Sequence, residues 1–219
     1  MKYGIVGCSG RMGREIARVF GEAGHELVLT SDVSGTECRE RPEAIADFSS
    51  PAALPGAIAL CGKYGAGLVA GTTSLSEGDL SSLKRLSEQV PVVQSFNFAA
   101  GVTVLKMILR DFSPLLSDWD MEIVETHHNK KKDAPSGTAI LLRDAAGRPA
   151  VTHSLRLGGV PGDHAVCFAN EGETLSFSHR ALSRGVFALG ALRAALFASK
   201  APPGFYTFED MLRAEIARK

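Results

Sequence analysis

The chain has 219 residues, 45% of them hydrophobic, and its 24 basic side chains are matched by 24 acidic ones. This neutral balance gives no electrostatic footprint for nucleic acid or an acidic membrane surface, and no stretch approaches the run of about 18 apolar residues that spans a bilayer. Met1-Lys2 leads straight into an apolar strand without a leader or cleavage site, so the expectation is a cytoplasmic enzyme of one or two modest domains.

Lys2-Tyr3-Gly4-Ile5-Val6 reads as a short buried strand, and Gly7-Cys8-Ser9-Gly10-Arg11-Met12-Gly13 follows at once, opening a helix over 14–20. The Gly-x-x-Gly-x-x-Gly spacing is a variant of the dinucleotide fingerprint, in which glycines permit a tight turn and bring a pyrophosphate close to a helix N-terminus. A second strand over 26–30 ends at Asp32, near the ~20-residue offset expected of the acid that holds a ribose hydroxyl. Strands over 44–48, 67–70 and 90–94 then alternate with helices over 52–64 and 80–86. That alternation predicts an α/β domain with a parallel, doubly wound sheet, whose ligand lies beyond the carboxyl ends of the strands. Phe48, Gly71-Thr72-Thr73 and Phe96-Asn97-Phe98 all fall at such ends.

After Phe98 the pattern changes. A helix over 102–113 precedes a strand over 119–125 and strand-like runs over 153–157, 164–170 and 174–181, which predict an open mixed or antiparallel sheet in a separate α+β substrate domain. An apolar helix over 186–198, a turn at 202–204 and a segment over 208–216 close the chain. Cys8, Cys38, Cys61 and Cys167 are scattered without a C-x-x-C pair, so free thiols are expected rather than a metal cluster or disulfides.

Chemistry is densest in Glu125-Thr126-His127-His128-Asn129-Lys130-Lys131-Lys132-Asp133-Ala134-Pro135-Ser136-Gly137-Thr138-Ala139, which sets two imidazoles and three ammoniums at a chain reversal. Pro135 fits the first helical position, with Ser136, Gly137 and Thr138 then presenting backbone N–H groups at the positive end of a helix dipole, where a carboxylate or phosphate is attracted. Adjacent histidines point apart on a strand or a helix, so no metal is expected here. A histidine, ordinarily titrating near pH ~6.5, is suited to proton transfer. Lys130 and Lys132 are read as solvated charges. Gly162-Asp163-His164 and His179 are read as a turn and a strand surface without chemistry.

Taken together, His127-His128-x-x-Lys131-x-Asp133-Ala134-Pro135-Ser136-Gly137-Thr138-Ala139, Gly7-x-x-Gly10-Arg11-Met12-Gly13, Asp47-Phe48-Ser49, Gly71-Thr72-Thr73 and Asn97-Phe98 resemble the 4-hydroxy-tetrahydrodipicolinate (dihydrodipicolinate) reductase family of bacterial lysine and diaminopimelate biosynthesis. The resemblance runs along nearly the whole chain. It implies a reductase using NADH, NADPH or both, with a Rossmann-like dinucleotide-binding domain over 1–98 and 195–219. It further implies a substrate-binding and oligomerisation domain over 99–194 that builds a homotetramer. By the same resemblance His127 transfers a proton to a cyclic dicarboxylate. Lys131 holds a carboxylate and supports protonation, and His128, Ser136, Gly137 and Thr138 bind the remaining oxygens. Gly7, Gly10, Arg11, Met12 and Gly13 would meet pyrophosphate and adenosine ribose, Asp32 the ribose hydroxyls, and Phe48, Gly71, Thr72, Thr73, Phe96, Asn97 and Phe98 the nicotinamide end. The stretch between Gly13 and Asp47 is shorter than in many members, in the region where cofactor preference is set. There Asp32 should repel a 2′-phosphate and Arg11 offset that repulsion, so both cofactors are expected with a lean to NADH. Another Rossmann reductase would share the glycine loop without needing the paired histidines and lysine, and a nucleic-acid module would need a basic excess this chain lacks.

Overall fold

The computed structural model of the chain describes residues 1–217 and divides them into two compact units, one built from Met1–Phe98 and the chain from Gly185 onward, the other from Ala99–Arg184. In chain order the elements are β1 (Lys2–Val6), α1 (Arg11–Glu22), β2 (Glu26–Asp32), β3 (Gly35–Cys38), β4 (Ala44–Asp47), α2 (Leu54–Tyr64), β5 (Gly67–Ala70), α3 (Glu77–Leu86) and β6 (Pro91–Gln94). There follow α4 (Ala100–Phe112), β7 (Asp120–His127), α5 (Gly137–Ala146), β8 (Val151–Arg156), β9 (Asp163–Ala169), β10 (Thr174–Arg180), α6 (Gly185–Ala198), β11 (Gly204–Thr207) and α7 (Phe208–Ala217). None of the described helices is long and apolar enough to cross a membrane.

The first unit holds a seven-stranded sheet in the order β11-β6-β5-β4-β1-β2-β3. Its central strands are continuous apolar runs buried on both faces, as a parallel sheet requires. One face packs Val6, Leu29, Ile45, Leu68 and Val92 against α2 and α3. On the alternate face Tyr3 lies against Phe20 of α1 with ring centroids 4.8 Å apart. The strand ends are in register, Val6 opposite Asp47, Asp47 opposite Ala70 and Ala70 opposite Gln94. The loops after β1, β4, β5 and β6 therefore leave from one edge.

Two strands depart from the sequence expectation. β3 pairs antiparallel with β2, so the sheet is mostly rather than wholly parallel, and a hairpin replaces the crossover helix. This hairpin is why the chain between Gly13 and Asp47 is short. Every residue of β3 is exposed, so it carries no apolar alternation to read, and β11 is likewise a four-residue edge strand.

The return to the first unit comes at Gly185, ten residues before the expected position 195. The cause is the small-residue surface of α6, in which Gly185, Ala188, Gly190, Ala191, Ala194, Ala195 and Ala198 are buried. Backbone approaches are close enough to exclude side chains: a Cβ on Gly190 would lie 1.7 Å from the Phe98 carbonyl oxygen, and one on Gly67 would lie 2.5 Å from that of Ala198. A helix packed this way along its length belongs to one unit.

The second unit is a mixed four-stranded sheet, β10-β9-β7-β8, in which β7 and β8 are parallel and the other pairs antiparallel. Met121, Ile123, Val166 and Phe168 on its inner face pack with Leu105 and Leu109 of α4 and Ala139, Leu142 and Ala146 of α5. On the outer face Val151 and Leu155 remain 58% and 45% exposed.

Candidate functional site

The first set of candidate residues is the row of strand ends in the first unit. Gly7 takes a left-handed φ of 80°, and Gly10 is an extended N-cap for α1, which begins at Arg11 rather than at the expected residue 14. A Cβ on Gly13 would sit 2.2 Å from the Gly7 carbonyl oxygen, so this glycine lets the helix lie directly on the loop. No side chain caps α1 and its first turn holds no acid, whereas the Ser76 and Asp79 side chains close α3 with a capping box. The loop therefore fits a pyrophosphate, with the N–H groups of Arg11, Met12 and Gly13 at the helix start. Asp32 lies beside it: its Oδ2 accepts the Ser9 N–H at 2.7 Å and the Cys8 thiol at 3.6 Å. Hydrogen bonds from Ser9 and Val33 hold the Asp32 carboxyl at about 2, so it is ionised and turned toward the loop.

At the neighbouring strand end, Asp47 is fully buried. Burial pushes its carboxyl up against the opposing hydrogen bonds of Ser49 and Thr72. It accepts the Ser49 hydroxyl and backbone N–H and, at 3.1 Å, the Thr72 hydroxyl, while Thr72 Oγ1 in turn accepts the Ser49 N–H at 3.1 Å. Phe48 covers Gly71 so closely that a Cβ there would meet its ring at 2.2 Å. Thr73 and Phe96 are exposed at this edge and Asn97 is half-buried. The Phe98 ring is 1% exposed and stacks between Phe48 and Phe208 at centroid distances of 5.4 Å and 5.0 Å. Its side chain is core, and the Thr72 hydroxyl is spent on Asp47 and Ser49, so neither offers a side chain to a ligand.

A second set of candidate residues lies in the other unit, on β7, whose alternation carries Met121, Ile123, Glu125 and His127 to the inner face. Glu125 has no solvent exposure. Its carboxylate is gripped by Arg156, with Nη1 to Oε2 at 3.0 Å and Nη2 to Oε1 at 2.8 Å. Its Oε1 also accepts the Ser136 N–H at 3.3 Å and its Oε2 bonds His127 Nδ1. Burial alone would push this carboxyl up, but the bonds from Arg156, Ser154 and His127 outweigh it and hold it at about 2. For His127 burial pushes the imidazole down, opposed by the Glu125 hydrogen bond and charge. Lys131 is only 21% exposed and its Nζ lies 2.7 Å from Asp133 Oδ2, whereas Lys130 and Lys132 are exposed.

The connection into α5 differs from expectation at one point. Ser136, not a residue before it, is the N-cap: its hydroxyl accepts the Ala139 N–H at 3.2 Å, and Pro135 lies outside the helix. Ser136 is 1% exposed, with its N–H on Glu125 and its hydroxyl 3.1 Å from His164 Nε2. Gly137 and Thr138 form the first turn of α5, and His128 is half-buried where β7 ends.

Residues 1–98 match the family described as dihydrodipicolinate reductase, N-terminus, and residues 101–212 match dihydrodipicolinate reductase, C-terminus. The chain belongs to the dihydrodipicolinate reductase family. A 4-hydroxy-tetrahydrodipicolinate reductase of Thermosipho africanus is 50% identical over 97% of this chain and 98% of its own length. One from Stenotrophomonas maltophilia is 39% identical, covering 95% and 96% respectively. Among solved structures, a dipicolinate-bound dihydrodipicolinate reductase from Paenisporosarcina superposes with a TM-score of 0.77 at 21% identity, over 96% of this chain and 98% of that one, and so shares the fold.

Sequence reasoning missed Glu125, Arg156 and His164. Glu125 carried a signal, since it occupies an inward position of an otherwise apolar alternation, two residues before His127. The other two depend on strand register. Arg156 pairs opposite His127, and His164 pairs opposite Glu125, its ring 5.1 Å edge-on from that of His127. Burial, then the neighbouring His127 charge, push His164 down to about 4. An unfolded histidine takes up a proton near pH ~6.5, which the folded chain refuses until about 4, so His164 lowers stability as pH falls through that window. His127 and His179 are shifted in the same direction, each chiefly by burial. Urea unfolding should show stability dropping across this range, and more shallowly in His164→Gln. Identical declines in the two proteins would contradict a buried neutral imidazole at 164.

Proposed function

We propose that the chain reduces 4-hydroxy-tetrahydrodipicolinate to tetrahydrodipicolinate in lysine and diaminopimelate biosynthesis, using NADH or NADPH, and that it works in the cytoplasm, where that cofactor pool is kept. The observation that supports this most directly is the intact His127-His128-x-x-Lys131 and Ser136-Gly137-Thr138 segment, held in one strand-to-helix connection of a chain 50% identical to a reductase of that name. Replacing the ring hydroxyl by hydrogen takes in one hydride and one proton and releases one water. Bound nicotinamide supplies the hydride.

The chain's own residues account for the rest. His127 delivers the proton. Lys131, half-buried on a strand-end connection, sets its ammonium against a substrate carboxylate, and His128 with the first turn of α5 takes the remaining oxygens. His127→Ala should lower kcat by roughly 10²–10⁴-fold with NADH binding intact. Lys131→Ala should lower kcat, raise the substrate KM and weaken inhibition by pyridine-2,6-dicarboxylate. Lys130→Ala and Lys132→Ala, which remove exposed charges, should be nearly silent in steady-state assays. Damage by either of these equal to that of Lys131→Ala would overturn the assignment.

Cofactor preference follows from Asp32. An ionised carboxylate turned toward the glycine loop accepts hydrogen bonds from a ribose diol and repels a 2′-phosphate, with Arg11 as the offsetting cation, so both cofactors serve with a lean to NADH. Titration by fluorescence should find that Asp32→Ala weakens NADH and spares NADPH. Equal losses would remove that role.

The outer face of the second sheet supports a homotetramer. Val124, Ala165 and Cys167 run along its middle with Val151 and Leu155 exposed beside them, and burying such a face against copies of itself removes apolar area from water. Light scattering should give four chains, and Val151→Glu with Leu155→Glu should shift the population toward smaller species. A stable monomer of the unaltered chain at micromolar concentration would contradict this assembly.

A further inference from the structure

The second sheet has an unusual inner face. Its first two rows are apolar on β7, β9 and β10, Met121 beside Phe168 and Ile123 beside Val166 and Phe177, with Thr152 of β8 at the end of the second, but the third reads Ser154, Glu125, His164 and His179 across all four strands. A carboxylate with no solvent exposure in such a row is unfavourable unless donors satisfy it. Every donor Glu125 has collected belongs to the connection that carries the substrate chemistry or to its supports. We propose that Glu125 is the positioning residue for His127: it accepts a hydrogen bond from the ring's Nδ1–H, leaves Nε2 as the atom through which the catalytic proton passes, and fixes the ring relative to the start of α5. This rests on the reading of His127 as the proton donor.

An ionised carboxylate only accepts, so the bond between Glu125 Oε2 and His127 Nδ1 requires the proton on Nδ1. A neutral ring then has its lone pair on Nε2, and a charged ring carries its exchangeable proton there. Nε2 faces Gly162, where a Cβ would come within 3.0 Å, so the lack of a side chain keeps that atom uncovered. The same carboxylate holds the Ser136 N–H, and Arg156, which grips it in two bonds, also donates to the Asp133 carbonyl at 2.7 Å. His127, the Lys131–Asp133 turn and the α5 N-cap are thus tied through one group.

Charge supplies the second strand of the argument. The groups facing His127 are Glu125 on its own strand, Arg156 on β8, Lys131 in the following connection and His164 on β9, with Asp163 next to His164 paired to Arg180 at 2.8 Å. Burial, Lys131 and Arg156 all disfavour a protonated ring, and Glu125 opposes them. Without its charge, His127 would sit among cations and release its proton at lower pH.

The test is Glu125→Gln, which keeps the size and an acceptor but removes the charge. NADH binding should be unchanged, kcat at neutral pH should fall roughly 10- to 10³-fold, and the alkaline limb of kcat should move down by about 1–3 pH units, so that activity recovers as the pH is lowered. A group that merely supported the fold would lower kcat equally at every pH. Glu125→Gln combined with Arg156→Gln leaves no lone buried charge and should show a limb displaced in the same direction but by less, because Arg156 itself disfavours the protonated ring. Independently of any variant, ¹⁵N spectra of the unaltered chain should show neutral His127 as the Nδ1–H form. An Nε2–H form, or a folded variant with an unmoved limb, overturns the proposal. If instead His127→Ala turns over normally, it is the proton-donor reading that fails.

Discussion

The buried carboxylate of Glu125 is the constraint around which the second unit is organised. Leaving one partner of such a pair unmatched costs on the order of 3–5 kcal/mol, a large part of the stability of any domain, so the donors around it are not interchangeable decoration. Arg156 has to reach across from β8, the ring of His127 has to present Nδ1, and the chain has to reverse so that the Ser136 N–H points back. The cost of one polar row is carried by the apolar rows beside it. Met121, Ile123, Val166 and Phe168 pack against α4 and α5 and anchor the strands that carry the polar row.

The first unit solves a similar problem in a similar way. Asp47, also fully buried and also at a strand end, ties the Ser49 loop to the Gly71-Thr72 loop through hydroxyl and backbone donors. In both units a carboxylate two or fewer residues from a strand terminus converts a flexible chain exit into a fixed one. The difference lies in the partners. Asp47 meets only neutral donors, and burial raises its carboxyl, whereas the Arg156 fork outweighs burial at Glu125 and keeps that group charged. The first arrangement fixes two loops through hydroxyl and backbone donors, and the second joins a charged carboxylate to a histidine, a serine N-cap and an arginine.

What could be read from the sequence was local. The glycine loop, the alternation of strands and helices, and the histidine-lysine run depend on neighbours within a few residues, and those features stand in the structure. Features set by register or by long-range packing were not legible. His164 looked like strand surface until β9 placed it opposite Glu125, and the surface of α6 gave no sign that Gly190 meets the Phe98 backbone. Pro135 misled because proline favours the first helical turn, yet here the serine after it satisfies the helix start. Phe98 shows the same limit from the other side, since its place in a motif could not reveal that its ring fills the space between Phe48 and Phe208.

The hairpin that replaces a crossover beside Asp32 raises a mechanical question, because a helix there would ordinarily brace the end of β2 next to the cofactor loop. Asp32 supplies a brace of its own. One oxygen takes the Ser9 N–H and the Cys8 thiol from the glycine loop, the other takes the Val33 N–H from the hairpin tip, and the Gly7 N–H bonds the Ser31 carbonyl at 2.8 Å. Loop and hairpin are therefore joined by hydrogen bonds where a longer chain would use packing. Asp32 is thus a structural staple between the glycine loop and the hairpin, so its charge and its geometry cannot be altered separately. In this shortened framework the shape of the glycine loop depends on that one side chain.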